Sequence, residues 1–267
     1  MNFFYLLYKA ALLFVDRESS HYAAAFSYYA PLALIPLVVF SVLVVGLFYG
    51  ESYTNQIFSN WGSVLGNDLF QIIKSAVSNL NIETKTSSIP IVGAAFSLGF
   101  YIIAMNLLCD GFQKLWDIKS NGVRDWFIKS FRSIAFLVIL QIYLVFAIGL
   151  EFFISSKIFV ASALISSILL FISTTAFFAA LYHLLSVKSP HWASCWVGAT
   201  VSSLLFVGIK NLVDLYIHTT PALNLYGAAG LILVLLVWVY VLAALIYYGA
   251  AVAGLYDKIK YKGLTHN

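Results

Sequence analysis

The stretch Ala23–Phe48 reads AAAFSYYAPLALIPLVVFSVLVVGLF and carries no charge. A helix needs about 20 apolar residues to cross a bilayer, and this run is long enough. Five further runs are like it. Together they mark six spans, at about Ala23–Tyr49, Pro90–Cys109, Phe131–Phe153, Ile158–Val187, Ala193–Ile217 and Tyr226–Leu255. Each is expected to be a helix, because hydrocarbon offers no partner to a free backbone N–H or C=O. Barrel strands alternate over about 10 residues, whereas these runs are continuously apolar. Only 10% of the 267 residues are charged and 62% are hydrophobic, against about 25% charged in an average soluble domain. The expected fold class is an all-α integral membrane protein, one polytopic domain over residues 1–267.

Basic residues give the orientation. One side receives Lys9, Arg17, Lys114, Lys119, Arg124, Lys129, Arg132, Lys188, Lys258, Lys260 and Lys262. The other receives Lys74, Lys85 and Lys157, while Lys210 lies within a span. Positive residues favour the cytoplasm, so both termini are expected inside, in agreement with the even helix count. The net charge of +4 is therefore read as topology, and no nucleic-acid partner is expected.

Between the spans, three segments stand out. Asn2–Val15 is apolar but too short to cross, so residues 1–22 read as an interfacial helix with Lys9 toward the headgroups. No cleavable leader is expected, because no basic region precedes the apolar part and Asp16-Arg17-Glu18 follows it. Residues 50–89 carry Ile57, Trp61, Val64, Leu65, Leu69, Ile72 and Ile73 at helical spacing. They predict an amphipathic helical cap on the outer face, between the first two spans. Residues 256–267 read as a basic cytoplasmic tail. The inner connection Asp110–Ser130 reads as a mixed-charge loop with a helical turn near Trp116 and a turn signal at Asn121-Gly122. The last two connections are tight, so spans four, five and six are expected as antiparallel neighbours.

Few residues carry chemistry. Pro31 and Pro36 lie inside the first span, where each removes a backbone hydrogen bond and bends the helix. Ser27, Tyr28 and Tyr29 stand one turn earlier, where hydroxyls can meet freed carbonyls. The bend reads either as a ligand-lined kink or as fixed packing geometry. Lys210 and Asp214 share a helix face at i, i+4 and read as a substrate or ion site, or as a structural pair near the outer boundary. Asn106 and Asp110 lie one turn apart at the inner end of the second span. They read as an inner polar vestibule or as a solvated rim. Gly198 in the fifth span, and Gly249 and Gly254 in the sixth, let helices approach closely, within one chain or across a homo-oligomer. No HExxH, CxxC, P-loop, GxSxG or dinucleotide glycine pattern occurs, so no metal, cofactor or catalytic centre is expected.

AAAFSYYAPLALIP (Ala23–Pro36) resembles the first-helix signature of the YihY/virulence factor BrkB family of bacterial inner-membrane proteins. GFQKLWDI (Gly111–Ile118), LYHLL (Leu181–Leu185), WVGATVSSLLF (Trp196–Phe206) and LLVWVYVLAALIYYGAAVAG (Leu235–Gly254) support it, as does the order of the spans. The chain departs from the family pattern at Ala251, where members often carry a Glu, at Ser186 near a usual Pro, and at Gln113 near an expected Asn. A mechanism needing the last-helix carboxylate does not carry over. The resemblance implies an inner-membrane location with cytoplasmic termini. Some members bear an old ribonuclease BN name, and nothing in these residues supports that activity.

The expected function is a transporter or flippase-like protein for an amphiphilic or anionic substrate, with membrane lipids as partners. A structural or scaffolding envelope protein is the alternative. A membrane-bound enzyme is the weakest reading, because no acid/base or metal constellation converges.

Overall fold

A computed structural model describes residues 3–33, 89–119, 122–155, 163–186, 190–219, 222–261 and 263. Seven helices account for nearly all of them, and no strand occurs among the described residues. They are α1 (Phe3–Asp16), α2 (19–33), α3 (Ile89–Trp116), α4 (Val123–Ser155), α5 (Ala163–Leu185), α6 (Trp192–Thr219) and α7 (Ala222–Tyr261). The predicted outer cap and the outer part of the first span, with Pro36, lie outside the described residues.

Helix α3 packs on α4, α4 on α5, α5 on α6 and α6 on α7, and α7 returns to α3, closing a ring. Helix α1 docks on α7. Helix α2 runs beside α3 and α7, with Tyr29 stacked on Phe100 and Tyr22 tilted against Tyr247. The most extensive contacts join α5, α6 and α7, the consecutive elements with short connections. One end of the bundle gathers the α1–α2 corner, the C-termini of α3, α5 and α7, and the N-termini of α4 and α6. It carries Arg17, Lys114, Lys119, Arg124, Lys129, Arg132, Lys258 and Lys260, and is called the basic end below.

The helices overrun the expected spans at this end. Most of the expected loop Asp110–Ser130 is helix: α3 continues to Trp116 and α4 begins at Val123. The physical reason is that a charged, amphipathic turn extends a helix as readily as an apolar one, although it fails a hydropathy window. Helix α3 stops where Asp117 adopts a left-handed φ of 61°. The Ile118 N–H then reaches back to the Gln113 carbonyl at 2.9 Å, which satisfies an orphan acceptor. Gly122, at φ 72°, makes the turn into α4. The expected tail is helical as far as Tyr261.

Among the described residues, two helices are long and apolar enough to cross a membrane by length and composition, through Trp192–Ile209 in α6 and Leu235–Tyr261 in α7. The distribution of exposed side chains goes further. On α4, Phe127, Phe131, Ile134, Val138 and Ile142 recur on one face and are all exposed, a strip about 22 Å long. Ile168 and Ile172 on α5, Leu204 and Val207 on α6 and Val237 on α7 are likewise exposed. The interior, by contrast, holds Ser133, Ser202, Ser203, Thr175, Asn106 and Lys129 beside its apolar residues. This surface is too rich in contiguous large apolar groups for a water-soluble monomer.

Candidate functional site: a charged seam at the basic end

The interior of the basic end is filled by aromatic rings. Phe112 stacks on Trp116 and meets Tyr182 and Tyr247 edge-on, each at 5.7 Å. Their polar tips reach carbonyls of neighbouring helices, as buried Tyr and Trp usually must. Trp116 Nε1 donates to the Ala250 carbonyl at 2.8 Å, and Tyr247 Oη to the Leu107 carbonyl at 3.0 Å. Tyr182 Oη donates to the Ile246 carbonyl at 3.0 Å and lies 2.7 Å from Ser202 Oγ. Tyr248 Oη ties α1 to α7 through the Leu7 carbonyl.

Glycines make room for these contacts. A Cβ on Gly249 would stand 1.8 Å from Ser202 Oγ, and one on Gly198 would stand 2.4 Å from the Gly249 carbonyl. Gly254 accepts the edge of the Trp116 ring, 2.3 Å from where its Cβ would be. The three glycines singled out in the sequence thus sit where α6, α7 and α3 come closest.

Beside this plug, polar groups converge between α3, α4 and the end of α5. Asn106, Asp110 and Gln113 fall at i, i+4 and i+7, and so on one face of α3. Opposite them stand Lys129, Ser130 and Ser133 of α4. Asn106 Nδ2 donates to Ser130 Oγ at 3.3 Å, and Tyr101 Oη to the Ser133 carbonyl at 3.0 Å. Lys129 Nζ donates to Asp110 Oδ1 at 2.5 Å. The Lys129 side chain is 7% exposed, whereas that of Asp110 is 44% exposed, so the pair opens outward through the carboxylate. Arg132 donates to the Ser186 carbonyl, and Cys109 Sγ lies 3.2 Å from the Leu185 carbonyl. These contacts satisfy the end of α5, where a cation also meets the negative end of the helix dipole. Among the described residues, Asn106 Oδ1, Gln113 Nε2 and Ser186 Oγ are buried without a hydrogen-bond partner.

A second cluster closes the corner between α1 and α2. Glu18 adopts a left-handed φ of 54°, and Lys114 Nζ donates to its Oε2 at 2.8 Å. Arg17 pairs with Asp117 at 3.2 Å. The Lys114 hydrogen bond holds the Glu18 carboxyl below its ordinary range, and Arg17 does the same for Asp117. On the opposite edge, Asp257 accepts from the His191 backbone N–H at 2.8 Å and from Ser194 Oγ at 3.0 Å, which caps the start of α6. No group of three or more His, Cys, Asp or Glu residues able to hold a metal occurs among the described residues.

The other predicted site residues are scattered. Tyr28 is exposed and meets Tyr29 edge-on at 5.2 Å, with Tyr29 partly covered by Phe100. Ser27 Oγ bonds the Ala24 carbonyl rather than another helix. Pro31 lies within α2 and is half-buried. Lys210 and Asp214 lie in α6, but their side chains are outside the described residues. The sequence alone does not mark Lys129, Arg132, Gln113 or Ser186 as site residues. The signal available was the run Lys129-Ser130-Phe131-Arg132-Ser133, which places two cations and two hydroxyls at helical spacing just before an apolar run.

The sequence has relatives among proteins named as membrane proteins, of which it spans from about a fifth to four fifths. Over 262 residues it is 25% identical to a UPF0761 membrane protein of Vibrio vulnificus, covering 93% of this chain and 80% of the relative. Over 208 residues it is 23% identical to a UPF0761 membrane protein of Idiomarina loihiensis, covering 75% and 70%. A 93-residue segment is 31% identical to a UPF0761 membrane protein of Albidiferax ferrireducens, covering 33% of this chain and 22% of the relative. No solved structure matches the chain. The family model described as Virulence factor BrkB matches residues 12–265, nearly the whole chain, and the chain therefore belongs to that family.

Proposed function

We propose that this chain is a multi-pass protein of the bacterial inner membrane, with six spans and both termini in the cytoplasm. We propose further that it moves an amphiphilic or anionic substrate, as a transporter or flippase-like protein. The relatives named as membrane proteins and the apolar outer surface support the location. One observation carries the activity: Lys129 is buried between helices of a bundle whose outside is apolar, paired with a half-open Asp110. Lys129 stands at the edge of its expected span, and ionisable groups buried in membrane bundles are costly and concentrate on substrate and ion paths.

The test is a flux assay on the full chain reconstituted in liposomes, using a fluorescent phospholipid whose outer-leaflet copies are bleached by dithionite. Bleaching is expected to run past half the label, and Lys129→Gln is expected to slow it. Bleaching that stops at the level of protein-free vesicles would contradict lipid movement.

The aromatic plug favours a second reading. Phe112, Trp116, Tyr182 and Tyr247 fill the basic end, as in a structural or scaffolding envelope protein that transports nothing. Full activity of Lys129→Gln in cells, with no flux in vesicles, would select it.

A further inference from the structure

The seam between α3, α4 and α5 has the composition of an anion site. Lys129 brings three N–H donors and Arg132 five. Gln113 Nε2 and Ser186 Oγ add donors with no partner among the described residues, and these two residues are 4% and 1% exposed. Leaving such groups unmatched costs more than most hydrogen bonds gain. Ser173 Oγ, His183 Nδ1 and Ser203 Oγ share that state on α5 and α6, but among the described residues only in this seam do the unmatched donors accompany two cations. Against them stand one unpaired acceptor, Asn106 Oδ1, and the Asp110 carboxylate. Asp125, one turn before Lys129, is buried and already engaged. Cys109 and Arg132 meet the successive carbonyls of Leu185 and Ser186 while Lys129 holds Asp110, so two cations and one carboxylate gather in the seam. The seam reaches solvent through Asp110, whose side chain is 44% exposed, at an end of the bundle where basic residues outnumber acidic ones.

We infer that this seam binds a phosphate oxyanion, with Lys129 and Arg132 as its cationic ligands, Gln113 and Ser186 as neutral donors, and Asp110 as the internal competitor that holds Lys129 when no anion is present. The inference deepens the transport reading and rests on it for the use of the site. Lipid phosphodiester and free phosphate share this chemistry. A phosphate oxygen would take over the Lys129 donors, and Asp110 would turn outward to solvent.

The sign of one substitution separates this from a merely structural seam. If Asp110 competes, Asp110→Asn tightens anion binding. If the pair only joins helices, the same change creates no affinity. The test is calorimetric titration of the full chain in phosphatidylcholine nanodiscs, with inorganic phosphate in one arm and dihexanoyl phosphatidylglycerol in the other. Dihexanoyl phosphatidylcholine has the same phosphodiester with its charge offset by choline, and is expected to bind more weakly than the phosphatidylglycerol; equal binding of the two would contradict recognition of a net anion.

Binding in either arm is expected, and the stronger arm names the source. Lys129→Gln and Arg132→Gln are each expected to weaken it about tenfold, the loss of one charge-assisted hydrogen bond. Ser186→Ala, a change too small to unfold the bundle, is expected to weaken it by a few-fold. Absence of binding in both arms overturns the inference, as does equal affinity of wild type and the Asp110→Asn, Lys129→Gln and Ser186→Ala variants. Lipid flux in a protein that binds no phosphate removes this site and leaves transport standing. Phosphate binding without flux does the reverse.

Discussion

Gly249 shows how little room single residues leave at the basic end. Its missing side chain lets Ser202 Oγ and the Tyr182 hydroxyl sit within 2.4 Å of where a Cβ would be. Gly249→Ala must therefore push α6 away from α7 or break the Tyr182–Ser202 pair. A cost of about 1–3 kcal/mol is expected, the usual range for overpacking. Gly208→Ala, on α6 with nothing within 4 Å of its Cβ, is the control and is expected to be neutral or stabilising. Thermal melting of the two variants in detergent checks the contrast, and equal midpoints would contradict the close approach. Small residues in an apolar helix can be read from the sequence, but their partners cannot. Gly198 and Gly249 face each other across 51 positions of chain, and only the packing of two helices says so.

At the scale of elements, the corner between α1 and α2 is held to the end of α3 by ion pairs that water reaches. Glu18 and Asp117 both have carboxyl groups whose affinity for protons is lowered in the folded protein, by Lys114 and Arg17. The unfolded chain binds protons more readily there, so the contribution is complete at neutral pH. It is lost as pH falls below the ordinary carboxylate values of 4.5 and 3.8 and through the lowered folded ones. It is also expected to weaken in salt, because the pairs are exposed. Spin labels at Ala11 and Lys119 should give a narrow distance distribution at pH 7 that broadens near pH 3. A distribution unchanged over that range would show that the pairs do not hold the corner.

The helices themselves were legible as long apolar runs, but their ends at the basic end were not. Lys114, Arg124 and Lys258 lie in turns that hydropathy penalises and a helix tolerates. For the same reason Lys129 reads as a loop residue in the sequence, whereas in the fold it lies a turn and a half inside α4. Asn106 and Asp110 can be picked out as polar residues one turn apart. Ser130, Lys129, Arg132 and Ser186 join them only through contacts between three helices, which no spacing along the chain encodes.

At the scale of the whole molecule, the outside differs from that of a water-soluble protein, whereas the core is apolar as usual. Among the described residues, large apolar side chains stand exposed on α4, α5, α6 and α7, while serines, an asparagine and a lysine are buried beside the apolar core. A lysine buried in a bundle with an apolar outside has a different meaning from one in a bundle bathed by water. Helix α4 offers the most direct measurement, because it carries both faces over one length. Nitroxide labels placed singly at Phe131, Ile134, Val138 and Ile142, and at the inward Phe136 and Leu137, can be scanned in liposomes for collisions with oxygen and with a water-soluble nickel complex. The outward four are expected to collide with oxygen and not with nickel, most strongly at mid-strip, and the inward two with neither. Outward labels that collide freely with the nickel complex would place this surface in water and contradict the account.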